Sequence, residues 1–260
     1  MPGRIARRTT IAVALSLFLL TLHAVAGGPA QAATPVKVGA YEFPPYVTET
    51  GAGITQGLIA LMNAAQSEFR FELVATSPQR RYEDMEQGRF DIIAFESVAW
   101  GWRDRPVDAT RVFLRDAELF VAKAGPGVDQ SIFATLAGKT ILGRLGYHYA
   151  FADFNSDPAV LEARYHTRVT VTHEGNVRSV AAGRATLAIV TQSFLNQFLK
   201  TDPDLARRLL VSERADQIYE HTILVRRGGP ITAGRLNALL DQLEADGQLS
   251  LLWDKSGITE

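Results

Sequence analysis

Residues 36–46 read Val-Lys-Val-Gly-Ala-Tyr-Glu-Phe-Pro-Pro-Tyr. The first five alternate apolar with polar or small positions, the period of a short strand, and the proline pair that follows is a turn. Next, Ile54–Ala65 places Ile54, Leu58, Leu61 and Met62 on one helical stripe. The pattern then repeats. Phe69–Ala75 reads as a strand, Pro78–Gln87 as a helix ended by Gly88, and Asp91–Phe95 as a buried strand. A βαβαβ unit of this kind predicts an α/β protein with a mostly parallel sheet, whose ligands gather beyond the carboxyl ends of the strands.

Working outward, Glu118–Ala122 is strand-like and runs into Lys123–Asp129, where Gly125, Pro126 and Gly127 mark an inter-domain crossing. A second series begins there. Thr140–Leu142, Val169–Thr172 and Leu187–Thr191 read as strands, and Asn176–Ala182 as a helix ended by Gly183, so a second sheet is expected. Thr222–Val225 reads as one more strand, and Thr232–Ala245 carries Leu236, Leu239, Leu240 and Leu243 on a helical stripe.

The chain has 260 residues, 47% hydrophobic and 21% charged, with no cysteine, which predicts a real core without disulfides or a thiolate metal site. Residues 34–260 hold 24 Lys and Arg against 28 Asp and Glu, a balance of −4 with no basic run, so no nucleic-acid partner is expected. At the front, Arg4, Arg7 and Arg8 precede the apolar run Ile11–Leu22, and small residues lead to Ala30-Gln31-Ala32. Those are the parts of a cleavable secretory signal over residues 1–33. The run is short for a membrane span, and no cysteine stands at the cleavage site to carry a lipid. A periplasmic location is expected.

Several short patterns occur in order: Val36–Tyr41 with Phe43-Pro44-Pro45-Tyr46, Gly57-Leu58, Gln87-Gly88-Arg89-Phe90-Asp91, Ala182-Gly183-Arg184, and Leu243-Glu244-Ala245-Asp246-Gly247-Gln248-Leu249. Together they resemble the family-three periplasmic solute-binding proteins, the amino-acid-type receptors of ABC uptake systems. The resemblance implies the two-lobed type II periplasmic-binding fold, each lobe a mostly parallel sheet flanked by helices and joined by two crossing strands. Lobe one is then residues 34–122 plus 219–260, and lobe two is 123–218. It also implies a monomer that shuts around a small polar, carboxylate-bearing, amino-acid-like solute and presents the closed form to an inner-membrane ABC permease.

Site candidates follow from position and residue type. Tyr41, Phe43 and Tyr46 flank the proline turn, where the rings face the cleft or plug the loop. Glu96 stands at a strand's carboxyl end, either to accept from a ligand amine or to pair with Arg80, Arg81 or Arg103. Trp100 and Trp102 wall a pocket or pack beneath a loop. Tyr147 and His148 lie in Gly143–Tyr149, read as opening a helix whose N–H groups receive an anion. Asn176 follows a strand, near His173, and either reaches the cleft or caps its helix. By the resemblance, Arg103 lies at the spacing from Asp91 of the arginine that grips the ligand carboxylate. Thr191 takes the place of the aspartate that binds the ligand ammonium. Phe95, Glu96, Val98 and Trp100 stand where the family usually has small hydroxyl residues, and this departure and Thr191 weigh against an ordinary α-amino acid.

No cofactor is expected, since nucleotide-binding glycine patterns are absent and the mature histidines lack metal-ligand spacing. Asp153–Asp157 imitates a calcium loop but has Pro158 and Arg164 where that loop needs glycine and glutamate. Nothing demands catalysis: no Gly-x-Ser-x-Gly, no His-Glu-x-x-His and no cysteine nucleophile. Two other readings stay open, an enzyme on the same scaffold, resembling cyclohexadienyl dehydratases, and a soluble sensor subunit.

Overall fold

A computed structural model describes residues 32–51 and 53–258. The leader read over residues 1–33 lies outside these, but for its last two positions. No described helix is long and apolar enough to cross a membrane.

The first half is the expected βαβαβ unit. β1 (Thr34–Ala40) and β2 (Phe69–Ala75) pair in parallel, and β3 (Ile92–Glu96) joins β1 in parallel on the other side. α1 (Ile54–Ala64) buries Ile54, Leu58 and Met62. α2 (Arg81–Glu86) starts three residues after the expected Pro78, and Gly88, at φ +70°, lets the chain turn out of it. A short strand, β4 (Val107–Ala109), precedes β5 (Leu114–Lys123).

The second half contains β6 (Ile141–Arg144), α3 (Pro158–Tyr165), β7 (Thr167–Thr170), α4 (His173–Ala181), β8 (Leu187–Thr191), α5 (Gln192–Thr201) and α6 (Pro203–Ala206). β6 pairs in parallel with β7 and β8. Asp157 caps α3 by accepting from the N–H groups of Ala159 and Val160, with Pro158 as first helical residue, so the calcium-like sequence is spent on a helix start.

The two expected sheets are joined through a crossing strand that belongs to both. β9 (Leu209–Arg226) is a single 18-residue strand that absorbs the expected strand Thr222–Val225. Its first two-thirds pairs antiparallel with β5, and its end pairs with β3 and β4. All nine strands therefore form one ladder, ordered β2-β1-β3-β9-β5-β8-β6-β7 with β4 on β9. The charges of Glu213, Arg214, Asp216 and Glu220 hid this strand from an apolar pattern. After it come α7 (Ala233–Ala245), which buries Leu236, Leu239, Leu240 and Leu243, and α8 (Gln248–Lys255), anchored by Trp253.

Alternation sorts the second half's core. Ile141, Leu187 and Ile189 join the main hydrophobic cluster, while Leu142, Ala188 and Val190 pack with Val177, Val180 and Leu195 on the opposite face. In the first half one residue breaks alternation. Phe95 has φ +61° at a register shift in β3, a conformation costing a bulky side chain roughly 1–2 kcal/mol. The irregularity buries Phe95 and Glu96 together: the Phe95 ring stacks on Tyr46, while Glu96 turns to Arg81.

Leu240 is fully buried beneath α7. Leu240→Ala should lower the unfolding free energy by about 2–5 kcal/mol. Urea unfolding followed by tryptophan fluorescence measures the loss, and a change below about 0.5 kcal/mol would refute this packing.

Candidate functional site

The carboxyl ends of β1, β3 and β6 converge on a small cavity. Tyr41 and Phe43 reach it from the turn after β1, Arg81 from the start of α2, and Trp100 from the turn after β3. Gly146, Tyr147 and His148 come from the turn after β6, and Tyr219 from β9. Both halves and one crossing strand thus contribute. The space measures about 10 Å³, room for about one water. A hollow of about 510 Å³ beside Arg115, Gln192 and Ile218 is far larger. We place the site at the small cavity because buried Arg81 and His148 meet five aromatic side chains there, and such convergence, not volume, makes a polar ligand site.

Arg81 is 1% exposed, and its Nε lies 3.1 Å from Oε1 of Glu96, itself fully buried. The indole N–H of Trp102 donates to the other Glu96 oxygen at 2.7 Å. The guanidinium stacks over Tyr41 and Tyr82, with its carbon 4.9 and 4.4 Å from the ring centres. Burial pushes the Glu96 carboxyl up, and the Arg81 charge offsets only part of that rise.

His148 bridges the halves. Its Nδ1 lies 2.6 Å from the carbonyl of Phe154 and so carries the proton, which leaves Nε2 to accept from Arg81 at 3.3 Å, while the Tyr82 hydroxyl, 2.9 Å from Nε2, donates to the Trp100 carbonyl. Burial lowers its pKa to about 4, so the ring is neutral. A second bridge joins Arg144, at the end of β6, to Glu42 after β1 at 2.7 Å. Gly146 sits at φ +81°, where an added Cβ would run into Pro78 of the first half.

Behind the cavity the crossing strands carry carboxylates. Asp116 is saturated: it accepts from Tyr46 and Ser193 hydroxyls and from the N–H groups of Ala117 and Ser193. Glu118 accepts from the hydroxyls of Tyr219 and Thr191 on Oε1, while its Oε2 has no partner. Burial pushes Glu118 up to about 8. The Tyr147 hydroxyl is buried and lacks a hydrogen bond as well.

The structure therefore gathers Tyr41, Phe43, Trp100, Tyr147 and His148 at the cavity. Glu96 and Trp102 form a second layer through Arg81, and Tyr46 and Thr191 hold the buried carboxylates. Asn176 is spent elsewhere, donating to the Gly143 carbonyl and bonding Thr170, which ties α4 to β6 and β7. Arg103 is exposed and joins no ion pair. The stretch Gly143–Tyr149 does not open an α-helix: it leaves β6 through a turn into a three-residue 3-10 segment, Ala150–Ala152, so no array of helix N–H groups faces the cavity. Sequence reasoning passed over Arg144, Asp116, Glu118, Gln217 and Tyr219, and saw Arg81 only as a partner for Glu96. For Glu118 a signal existed, a carboxylate within an otherwise apolar strand, at a position that alternation turns inward. Among the described residues, no group of three or more His, Asp or Glu is arranged to hold a metal.

Comparison with known proteins bears on these features. The family described as bacterial extracellular solute-binding proteins, family 3, matches residues 36–257. An L-arginine-binding protein of Pseudomonas aeruginosa is 27% identical over 253 residues, 93% of each chain. Among solved structures, an ancestral arginine-binding protein bound to arginine has TM-score 0.64 at 18% identity, covering 86% of this chain and 98% of that one. A putative binding component of an ABC transporter from Wolinella succinogenes, complexed with lysine, has TM-score 0.64 at 18% identity, covering 85% and 94%. At such identities these two structures speak for the fold alone, and the fold is the two-lobed type II periplasmic-binding one.

The neutral histidines set a pH dependence. His148 and His221 are depressed to about 4 and about 3 by burial, so below about pH 6.5 the unfolded chain takes up protons that the native protein refuses. Each such histidine removes stability as pH falls toward its folded pKa. Glu118, pushed up, works in the opposite sense over the same range, so a variant comparison isolates the histidine. His148→Gln should shrink the stability change between pH 7 and pH 5 by about 2 kcal/mol. Urea midpoints at the two pH values measure it, and an unchanged difference would mean that His148 is charged or solvated in the native protein.

Proposed function

The chain belongs to the bacterial extracellular solute-binding proteins of family 3, and we propose that it is the periplasmic binding component of an ABC uptake transporter. On this reading a leader over residues 1–33 directs export. The mature monomer takes a small, polar, amino-acid-like solute into the cleft between its halves, hinge closure follows, and an inner-membrane permease reads the closed shape. The observation that carries it is the cavity, walled by both halves and by the crossing strand β9, and locked by polar bridges from one half to the other.

A polar solute entering that space loses water on every side, so both halves must supply rings, donors and acceptors. Tyr41, Phe43, Trp100, Tyr147 and His148 form the solute's wall. Arg81 is already matched by Glu96, whereas Arg144 is held only by the half-exposed Glu42. Arg144 is thus the cation whose partner can give way to a solute carboxylate, a role that the family resemblance gave to Arg103. The hinge lies in β5 and β9, whose register shifts between Glu118 and Val121. The name of the Pseudomonas aeruginosa relative, L-arginine-binding protein, supports an amino-acid-like solute.

A thermal-shift screen against amino acids, organic acids and polyamines tests the reading. A ligand at about 100 times its Kd adds about 2.7 kcal/mol of stability. Trp100→Ala and Tyr147→Ala should each abolish the shift, and solution scattering should show the particle contracting when the ligand is added. Conversion of a screened compound to product would instead establish the enzyme reading.

Closure also needs Gly146 to pass close to Pro78. Gly146→Ala should weaken binding of the screened ligand at least tenfold while leaving the unliganded fold intact by circular dichroism. Unchanged affinity would mean that the ligand-bound form does not bring this turn against Pro78.

A further inference from the structure

Charge matching in and behind the cavity leaves one group over. Arg81 is neutralised by Glu96, and Arg144 is bridged to Glu42. The Asp116 carboxylate has four donors, which disperse its charge. Glu118 is different. It is fully buried, no cation pairs with it, and Oε2 has no donor at all.

Its neighbours from every side are hydroxyls or further acids. β9 brings Tyr219 and Asp216, β8 ends in Thr191, β5 itself adds Asp116, and the stretch after β6 brings Tyr147 and Tyr149. Behind Thr191, His173 of α4 stays neutral, its pKa well lowered by burial. The strand register places Glu118 opposite Gln217, which accepts from the Trp100 indole and donates to the carbonyl of His148. Glu118 therefore projects from the cavity-facing side of the crossing strands, one layer behind Tyr219 and near the unpartnered Tyr147 hydroxyl.

A buried carboxylate with a bare oxygen is costly unless a proton or a cation meets it. Granting the receptor reading above, on which this rests, we infer that the solute carries a cationic nitrogen and that Glu118 receives it through Oε2 when the cleft closes. The counter-charge for the solute thus comes from a crossing strand, and Thr191 at the end of β8 serves to orient Glu118 by donating to Oε1. Glu118 sets specificity: it favours amines and guanidinium compounds over neutral solutes of the same shape.

The balance of protons follows. Without a solute, burial holds Glu118 up at about 8, so near pH 7 the side chain is largely the neutral acid. An arriving cation forms its contact with the carboxylate, and the proton leaves for the buffer.

Titration calorimetry of the mature protein at pH 7 with L-arginine, L-glutamine, putrescine and succinate, in two buffers of different ionisation enthalpy, is the test. Expected are binding of a cation-bearing probe, release of up to one proton on binding, and an affinity loss of about 30-fold or more in Glu118→Gln together with loss of the proton release. A merely structural role would not alter the proton count. Should Glu118→Gln fail to fold, the wild-type proton count decides by itself, and zero release overturns the inference. Succinate as the only binder, or Glu118→Gln within threefold of wild type, overturns it while the receptor reading stands. Absence of binding by any amino-acid-like compound in the wider screen takes down the receptor reading first.

Discussion

Two antiparallel strands, β5 and β9, must do three things at once: connect the halves, form a floor for the cavity, and bury acids. Because they pair with each other from Leu114 to Lys123, their backbone groups are satisfied wherever the side chains point. That freedom lets one face carry Asp116, Glu118, Gln217, Tyr219 and His221, a polar set that no isolated strand could afford to bury. The register shifts near Glu118 are the cost of bending there. Everything in the cavity is positioned from this pair: Tyr46 and Tyr219 are held by its acids, and Trp100 by its glutamine.

The Arg81–Glu96 pair is a second fixed element, and its burial makes it a matter of specificity more than stability. Removing a charge pair of this kind by apolar replacement is often neutral, whereas removing one partner leaves an uncompensated charge in the interior. What the pair secures here is orientation. With Glu96 held by the Trp102 indole and turned inward by the irregular backbone at Phe95, Arg81 presents a flat cation between the rings of Tyr41 and Tyr82 and toward His148. A partner from the other half thus meets a surface that is already set.

Much of the fold was legible because its signals are local. Alternation located β1 and β2, a leucine stripe located α7, and glycine endings located the close of α2 and α4. β9 was largely invisible, since a strand that crosses between halves with polar residues on one face carries no apolar period. α3, α5 and α8 were missed as well. At the site, the rings flanking Pro44-Pro45 and Trp100 were legible by type and place, since large aromatics beside a strand end seldom stay wet. Glu118 and Arg144 were not, because a charge in a strand shows its role only once the fold reveals which neighbours lack a partner. Arg103 illustrates the reverse: spacing picked an arginine, and the turn Trp100–Asp104 carries it to the surface.

The small volume of the cavity bears on how binding energy is used. Phe43 packs edge-on against Trp100, Tyr147 and Tyr219 at centroid separations of 5.9, 5.3 and 6.1 Å, so the rings satisfy one another. On the proposed receptor role, a solute must part these rings, and it gains only from contacts better than those it displaces. Ring contacts are nearly interchangeable: a solute face replaces an aromatic face at little net change. Polar groups are not interchangeable, because an unmet hydroxyl or carboxylate costs more than an imperfect apolar contact. On that role, discrimination rests with the few atoms that the protein leaves unpaired, and the rings act to exclude water, which strengthens every charge contact made among them.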